Sequence, residues 1–238
     1  LAKLICIAII LIVLVSCGGS QSLTIYYTKD ASPKEILAAK ELQKYIYVRS
    51  GELPEIAVYE GKEKVKGKAI ILSQFEKFEN KSNIIKVEGD SYLLKSEDQD
   101  QLFIVGGSSE GVLYGAYKYI ESIGVGFMID GDIIPDQKLD SLKLNGFNET
   151  HNPAFALRGI QPFDDFPEGP DWWNEEDYKA IISQLPKMGM NFIGFHTYPE
   201  KRPFGGWERA EPMVWIGTKD QFNKNGTVKS AYPVLHSN

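Results

Sequence analysis

The chain holds 238 residues, 43% of them hydrophobic and 24% charged, with a formal net charge of −6 and two cysteines. This is the composition of a globular protein with room for one large or two smaller domains. An acidic balance without any basic cluster argues against a nucleic-acid partner.

Lys3 is followed by an apolar run from Leu4 to Val15 and then by Leu14-Val15-Ser16-Cys17. The run is shorter than the about 20 residues that a membrane span needs. A single early cation, a short apolar stretch and small residues before a cysteine resemble a bacterial lipoprotein signal, with Cys17 as the acylated residue. On this reading residues 1–17 are the signal, residues 18–22 are a small polar tether, and the protein reaches the cell envelope, lipid-anchored to a membrane; the alternatives are an ordinary secretory peptide with a chance cysteine or a short N-terminal anchor helix. Cys6 leaves with the signal, so the mature chain holds no free thiol, and disulfides and cysteine metal sites are excluded.

Folding is expected from Leu23. Leu23 to Tyr27 is rich in strand formers, and Ser32-Pro33-Lys34-Glu35 is a capping box with proline at the first helical position. Ile36, Ala39, Leu42 and Ile46 recur at helical spacing, and Ser50-Gly51 supplies the stop. Short β-like runs follow at Glu55 to Tyr59, Lys68 to Leu72, Ser91 to Lys95 and Leu102 to Val105. A second helix is predicted from Ser109 to Ile123, ending at Gly124, with closing strands at Phe127 to Ile129 and Leu142 to Leu144. Residues 23–150 therefore predict an α+β domain, two helices on one mixed sheet.

Beyond Asn152-Pro153 the pattern changes. Phe155 to Gln161 is expected to be a buried strand. Asn174 with Glu175, Glu176 and Asp177 starts a helix whose apolar face is Tyr178, Ile181, Ile182, Leu185 and Met188. Pro186 should kink or shorten that helix, Gly189 ends it, and Asn191 to Phe195 is a second buried strand. Strand, helix and strand in this order imply a parallel pair.

Ala38 to Ile46, with Ser50-Gly51 and Leu53-Pro54, together with Gly111 to Tyr117, Ile120-Glu121, Gly124-Val125 and Ile134-Pro135, resembles the N-terminal accessory domain of bacterial α-glucuronidases and family 20 β-N-acetylhexosaminidases. That resemblance implies a hexosaminidase domain 2-like, zincin-like fold followed by a TIM barrel, so residues 153–238 are expected to be the first part of a (β/α)8 barrel. It implies a glycoside hydrolase acting on glycans or polysaccharides, with a carbohydrate as partner. Pro153-Ala154-Phe155 and Arg158-Gly159 resemble the first barrel strand, where the hexosaminidase arginine grips sugar hydroxyls. Asn191 to His196 is similar to the end of the second strand. Gly194 and Phe163 depart from the hexosaminidase pattern, which leaves an α-glucuronidase-like enzyme open.

Glycoside hydrolysis normally needs two carboxylates flanking the scissile bond, or one with substrate assistance. A full barrel takes about 250 residues, and family 20 enzymes carry the acid pair after the fourth strand, so the catalytic carboxylates are expected beyond these residues. Arg158, Asp164, His196 and Trp207 are the candidate substrate contacts. Arg158 is read either as a fork for sugar hydroxyls or a uronic carboxylate, or as an ion-pair partner of Asp164 or Asp165. His196 bonds a hydroxyl or is structural, and Asp164 lines the barrel mouth or caps a helix. Trp172, Trp173, Trp207 and Trp215 suit a cleft in which indoles stack on sugar rings, or the barrel rim. No His-Glu-x-x-His occurs, and Gly106-Gly107 lacks a phosphate-loop lysine, so neither a metal nor a cofactor is expected. A non-catalytic carbohydrate-binding lipoprotein is the alternative.

Overall fold

A computed structural model describes residues 22–60, 65–78, 84–97, 100–162, 173–194 and 223–225. The chain enters on β1 (Thr24–Thr28) and turns into α1 (Pro33–Ser50). The helix begins where its capping box lies: the Glu35 N–H donates to Ser32 Oγ at 3.3 Å, and the Ser32 N–H donates to Glu35 Oε2 at 2.8 Å. Pro33 occupies the first turn, where an amide donor would have no helical acceptor. α1 stops at Gly51, whose φ of 79° strains any residue with a Cβ, and whose N–H donates to Tyr47 O at 2.8 Å.

β2 (Glu55–Tyr59), β3 (Ala69–Gln74), β4 (Tyr92–Glu97) and β5 (Gln101–Gly106) follow, then α2 (Ser109–Ser122), capped by Ser108 Oγ on the Gly111 N–H at 3.2 Å. A hairpin of β6 (Gly126–Met128) and β7 (Gly131–Ile133) precedes β8 (Asn148–His151). Six strands form one mixed sheet in the order β2-β1-β3-β5-β4-β8. β1 is parallel to β2 and β3, β3 is parallel to β5, and β4 runs antiparallel to both β5 and β8. β3 lies inside, buried from Ala69 to Ser73, which is why it is a continuous apolar run rather than an alternating one.

The helices cover one face of the sheet. Ala39, Leu42 and Ile46 of α1 and Val112, Ala116 and Ile120 of α2 are fully buried there, and Ile104 of β5 lies beneath Gly115. Side chains alternate along a strand, so Phe103 and Val105 point to the other face. There they join Phe75, Phe78, Val87 and Leu93, with Phe78 edge-on to Phe103 at 5.2 Å between ring centres. Each such side chain contributes about 1.5–3 kcal/mol by leaving water. Two charged contacts fix the helices at their ends. Lys34 of α1 pairs with Glu110 of α2. Arg49, 4% exposed, donates from Nε to Ile123 O at 2.9 Å and from Nη1 to Pro135 O at 2.8 Å and Gln137 O at 2.6 Å.

The chain divides into two compact units, residues 1–126 with 134–153 and residues 127–133 with 154–238. The second contains β9 (Gly159–Ile160), α3 (Glu175–Gln184) and β10 (Phe192–Ile193). Asn174 caps α3 as expected, accepting from the Glu176 and Asp177 N–H groups at 2.8 and 3.2 Å. Ahead of Pro186 the α-helix ends and Leu185–Met188 winds as a 3-10 turn, closed by Gly189 in the left-handed region.

Four expected elements differ. Leu142 to Leu144 forms no strand: Leu144 is buried, and its carbonyl accepts from Ser96 Oγ at 2.7 Å. The outer strand is instead the polar Asn148–His151, paired with β4. β6 belongs to a separate two-stranded sheet rather than closing the main one. The strand expected from Phe155 to Gln161 shrinks to Gly159–Ile160, with Phe155 73% and Leu157 69% exposed, because the preceding carbonyls bond side chains instead of a neighbouring strand. β10 is likewise shorter than expected, and Phe192 is 40% exposed rather than buried.

Candidate functional site

β9 and β10 pair in parallel, Gly159 opposite Phe192 and Ile160 opposite Ile193, joined through α3. The pairing depends on glycine, since a Cβ on Gly159 would lie 1.8 Å from Phe192 O. The strands are held at their N-terminal ends by two side chains. Arg158 donates from Nε to Gly189 O at 2.8 Å and from Nη1 to Phe155 O at 2.7 Å and Ala156 O at 3.4 Å. Asn191 accepts the Arg158 N–H on Oδ1 at 3.0 Å and donates from Nδ2 to Ala156 O at 2.8 Å. The Arg158 carbonyl accepts from the N–H groups of Asn191 and Phe192 at 2.7 and 3.1 Å, and Gly194 N–H donates to Ile160 O at 2.8 Å.

Of the sequence-predicted site residues, Arg158 is described and sits in this clamp. Asp164, His196, Trp207 and Cys17, as well as Trp172 and Trp215, lie outside the described residues. In sequence Asp164 comes after β9 and His196 after β10. In parallel α/β architectures ligands meet the carboxyl ends of the strands.

A second feature lies within the same unit, between the β6–β7 turn and α3. Here a cleft of about 400 Å³ is lined by Ile129, Asp130, Trp173, Asp177, Ile181 and Gln184 among others. Trp173 is braced edge-on by Tyr178, with 5.3 Å between ring centres and 74° between planes. Asp177 Oδ2 accepts the Asn174 N–H at 2.9 Å, which fixes that carboxylate at the mouth. Gln184 Oε1 is buried and meets no hydrogen-bond donor in the structure.

The turn is anchored to α3's end by Lys187, whose Nζ donates to Asp132 Oδ1 and Oδ2 at 2.9 and 3.0 Å. Lys187 Nζ also lies 5.7 Å from the centre of the Phe127 ring. The side chains of Lys187 and Asp132 are 9% and 16% exposed, so the pair is largely removed from water. Sequence reasoning found Trp173 by its type and Asp177 as a helix-start acid. It missed Asp130, Asp132, Gln184 and Lys187, because nothing local links a turn to a helix some fifty residues later. Among the described residues no group of three or more His, Cys, Asp and Glu is placed to hold a metal ion, and no helix is long and apolar enough to cross a membrane.

Comparison with known proteins gives a family match for part of the chain. Residues 17–119 match the family described as "Glycosyl hydrolase family 67 N-terminus". No curated protein matches. Among solved structures, a family 115 4-O-methyl-α-glucuronidase with specificity for decorated arabinogalactans is similar with a TM-score of 0.51 at 14% identity, over 73% of this chain and 25% of that one. A family 138 enzyme targeting pectin rhamnogalacturonan II gives a TM-score of 0.48 at 14% identity, over 75% and 19% of the two chains. A mutant β-hexosaminidase from Streptomyces plicatus, in complex with product GlcNAc, gives 0.46 at 14% identity, over 73% and 30%. This chain thus spans a quarter of the length of the α-glucuronidase. Residues 17–119, which supply five strands of the mixed sheet and both helices on its face, are thus similar to the N-terminal domain of glycosyl hydrolase family 67.

Proposed function

We propose that this chain is the N-terminal portion of an exported glycoside hydrolase that acts on glycans or polysaccharides, of the α-glucuronidase or β-N-acetylhexosaminidase type. The observation that carries the reading is the match of residues 17–119 to the family 67 N-terminal domain. The parallel β9–α3–β10 unit supports a (β/α)8 barrel following it, since parallel strands joined through a helix are the repeating step of that architecture. In this reading the substrate meets the carboxyl ends of β9 and β10. Asp164, His196 and Trp207 come later in the sequence than β9 or β10 and are the substrate contacts of this reading, whereas Arg158 clamps the opposite, N-terminal ends of the strands through its carbonyl bonds.

Cleavage of a glycosidic bond needs a proton donor at the leaving oxygen and a carboxylate, or the substrate's own acetamido group, at the anomeric carbon. Those groups lie in the part of the enzyme that these residues do not cover. The test is to offer the full-length protein aryl β-N-acetylglucosaminides and xylan fragments capped with 4-O-methylglucuronic acid. Release of one sugar class assigns the type. Absence of cleavage of either, with sugar binding retained, favours a carbohydrate-binding lipoprotein and overturns the enzyme reading.

A further inference from the structure

We infer that the cleft between the β6–β7 turn and α3 is a binding site for an uncharged pyranose unit of a glycan. The assignment rests on the glycan-directed function proposed above.

The cleft volume of about 400 Å³ falls in the range of small-ligand sites. Trp173 supplies a flat apolar surface whose tilt is fixed by Tyr178, and Ile129 and Ile181 add apolar wall. A sugar ring presents an apolar face of axial C–H groups ringed by hydroxyls, which fits an indole beside hydrogen-bonding groups. Those groups are two carboxylates, the Gln184 amide and the Ser183 hydroxyl. Asp130 and Asp177 accept from hydroxyls, and the Gln184 side chain adds to the same wall.

The charge of the lining selects the ligand. None of the residues lining the cleft is cationic, whereas two are carboxylates. The nearby cation of Lys187 is committed to Asp132, and Lys179 of α3 to Glu175 and Glu176. A uronic acid would bring a third negative charge into a site without a counter-charge. The cleft therefore takes neutral sugar. The turn is set against the helix by the Lys187–Asp132 pair, so the cleft is formed before a ligand arrives.

The test is titration calorimetry of the full-length protein with xylohexaose and β-1,4-galactohexaose as neutral probes and glucuronic acid as the anionic one, for the parent and three variants. Trp173→Ala should weaken binding of at least one neutral oligosaccharide by about tenfold, the effect of one aromatic contact. Trp173→Phe, which keeps a ring, should retain most of it and shows that the alanine effect is not loss of the fold. Asp130→Asn should improve glucuronic acid binding relative to the neutral probes.

Unchanged neutral binding in Trp173→Ala, or no neutral binding by the parent, overturns the site. Glucuronic acid binding that is lost with Trp173 overturns the charge argument. Aryl-glycoside hydrolysis assayed in the same preparations separates the two claims. Cleavage without Trp173-dependent binding leaves the enzyme and removes the cleft. Trp173-dependent binding without cleavage keeps the cleft and removes the enzyme.

Discussion

A guanidinium buried at the end of a helix must find acceptors, and Arg49 finds three backbone carbonyls on the segment that follows α2. Arg49→Ala leaves the buried Ile123 carbonyl without its donor and frees two others that are more exposed, and the expected cost is about 1–3 kcal/mol, read as a lower urea midpoint at unchanged slope. Arg49→Lys should recover part of this only, since an ammonium cannot reproduce the planar fork. Glu110 acts through charge instead. Its hydrogen bond from Lys34 holds the carboxyl down to about 2 against an ordinary value of 4.5. A folded-state pKa below the unfolded one gives stability that is fully present above about pH 4.5 and is lost as the pH falls toward 2. The stability difference between the parent and Glu110→Gln should follow that window. Because the pair is partly solvated it should stay under about 1 kcal/mol, and pH-dependent urea titration of both proteins measures it.

Among the elements, the ones carried by local chemistry were legible in the sequence. The Ser32–Glu35 box, Gly51, Asn174 and Pro186 each set a helix boundary by bonds within a few residues, and each stands where it was expected. The elements held by distant partners were not. β8 is Asn-Glu-Thr-His, without apolar alternation, and is fixed by contacts no local pattern encodes: His151 stacks on Tyr92 at 4.8 Å between ring centres, and its Nε2 lies 2.9 Å from Glu149 Oε2. Leu142 to Leu144 was apolar for burial alone, not for pairing. In the candidate site, Arg158 was found by resemblance, but its carbonyl partners depend on the return of the chain at Gly189, which spacing does not reveal. The Lys187–Asp132 pair offers the sharpest element-level prediction. Lys187→Met takes the cation from a carboxylate that is mostly buried, at a cost of about 3 kcal/mol, whereas the double change with Asp132→Leu should recover most of the loss. Calorimetric unfolding of the single and double variants checks it. Gly159→Ala should lower the same transition, since the new methyl and Phe192 O cannot share the space.

For the whole molecule, the lipoprotein reading predicts that labelled fatty acid is incorporated into the parent and not into Cys17→Ser, and that the variant moves from the membrane fraction to the soluble one. A label retained in Cys17→Ser would remove the anchor. The excursion of residues 127–133 into the second unit, before the chain returns for residues 134–153, bears on how such a protein can be taken apart. Severing the backbone at Asn152-Pro153 would not yield two independent modules, because the upstream piece would keep the turn that carries Asp132 while the downstream piece kept Lys187. Gene fusions joined at that same point would break the same bond. A viable exchange must therefore transfer the turn together with the helix it serves.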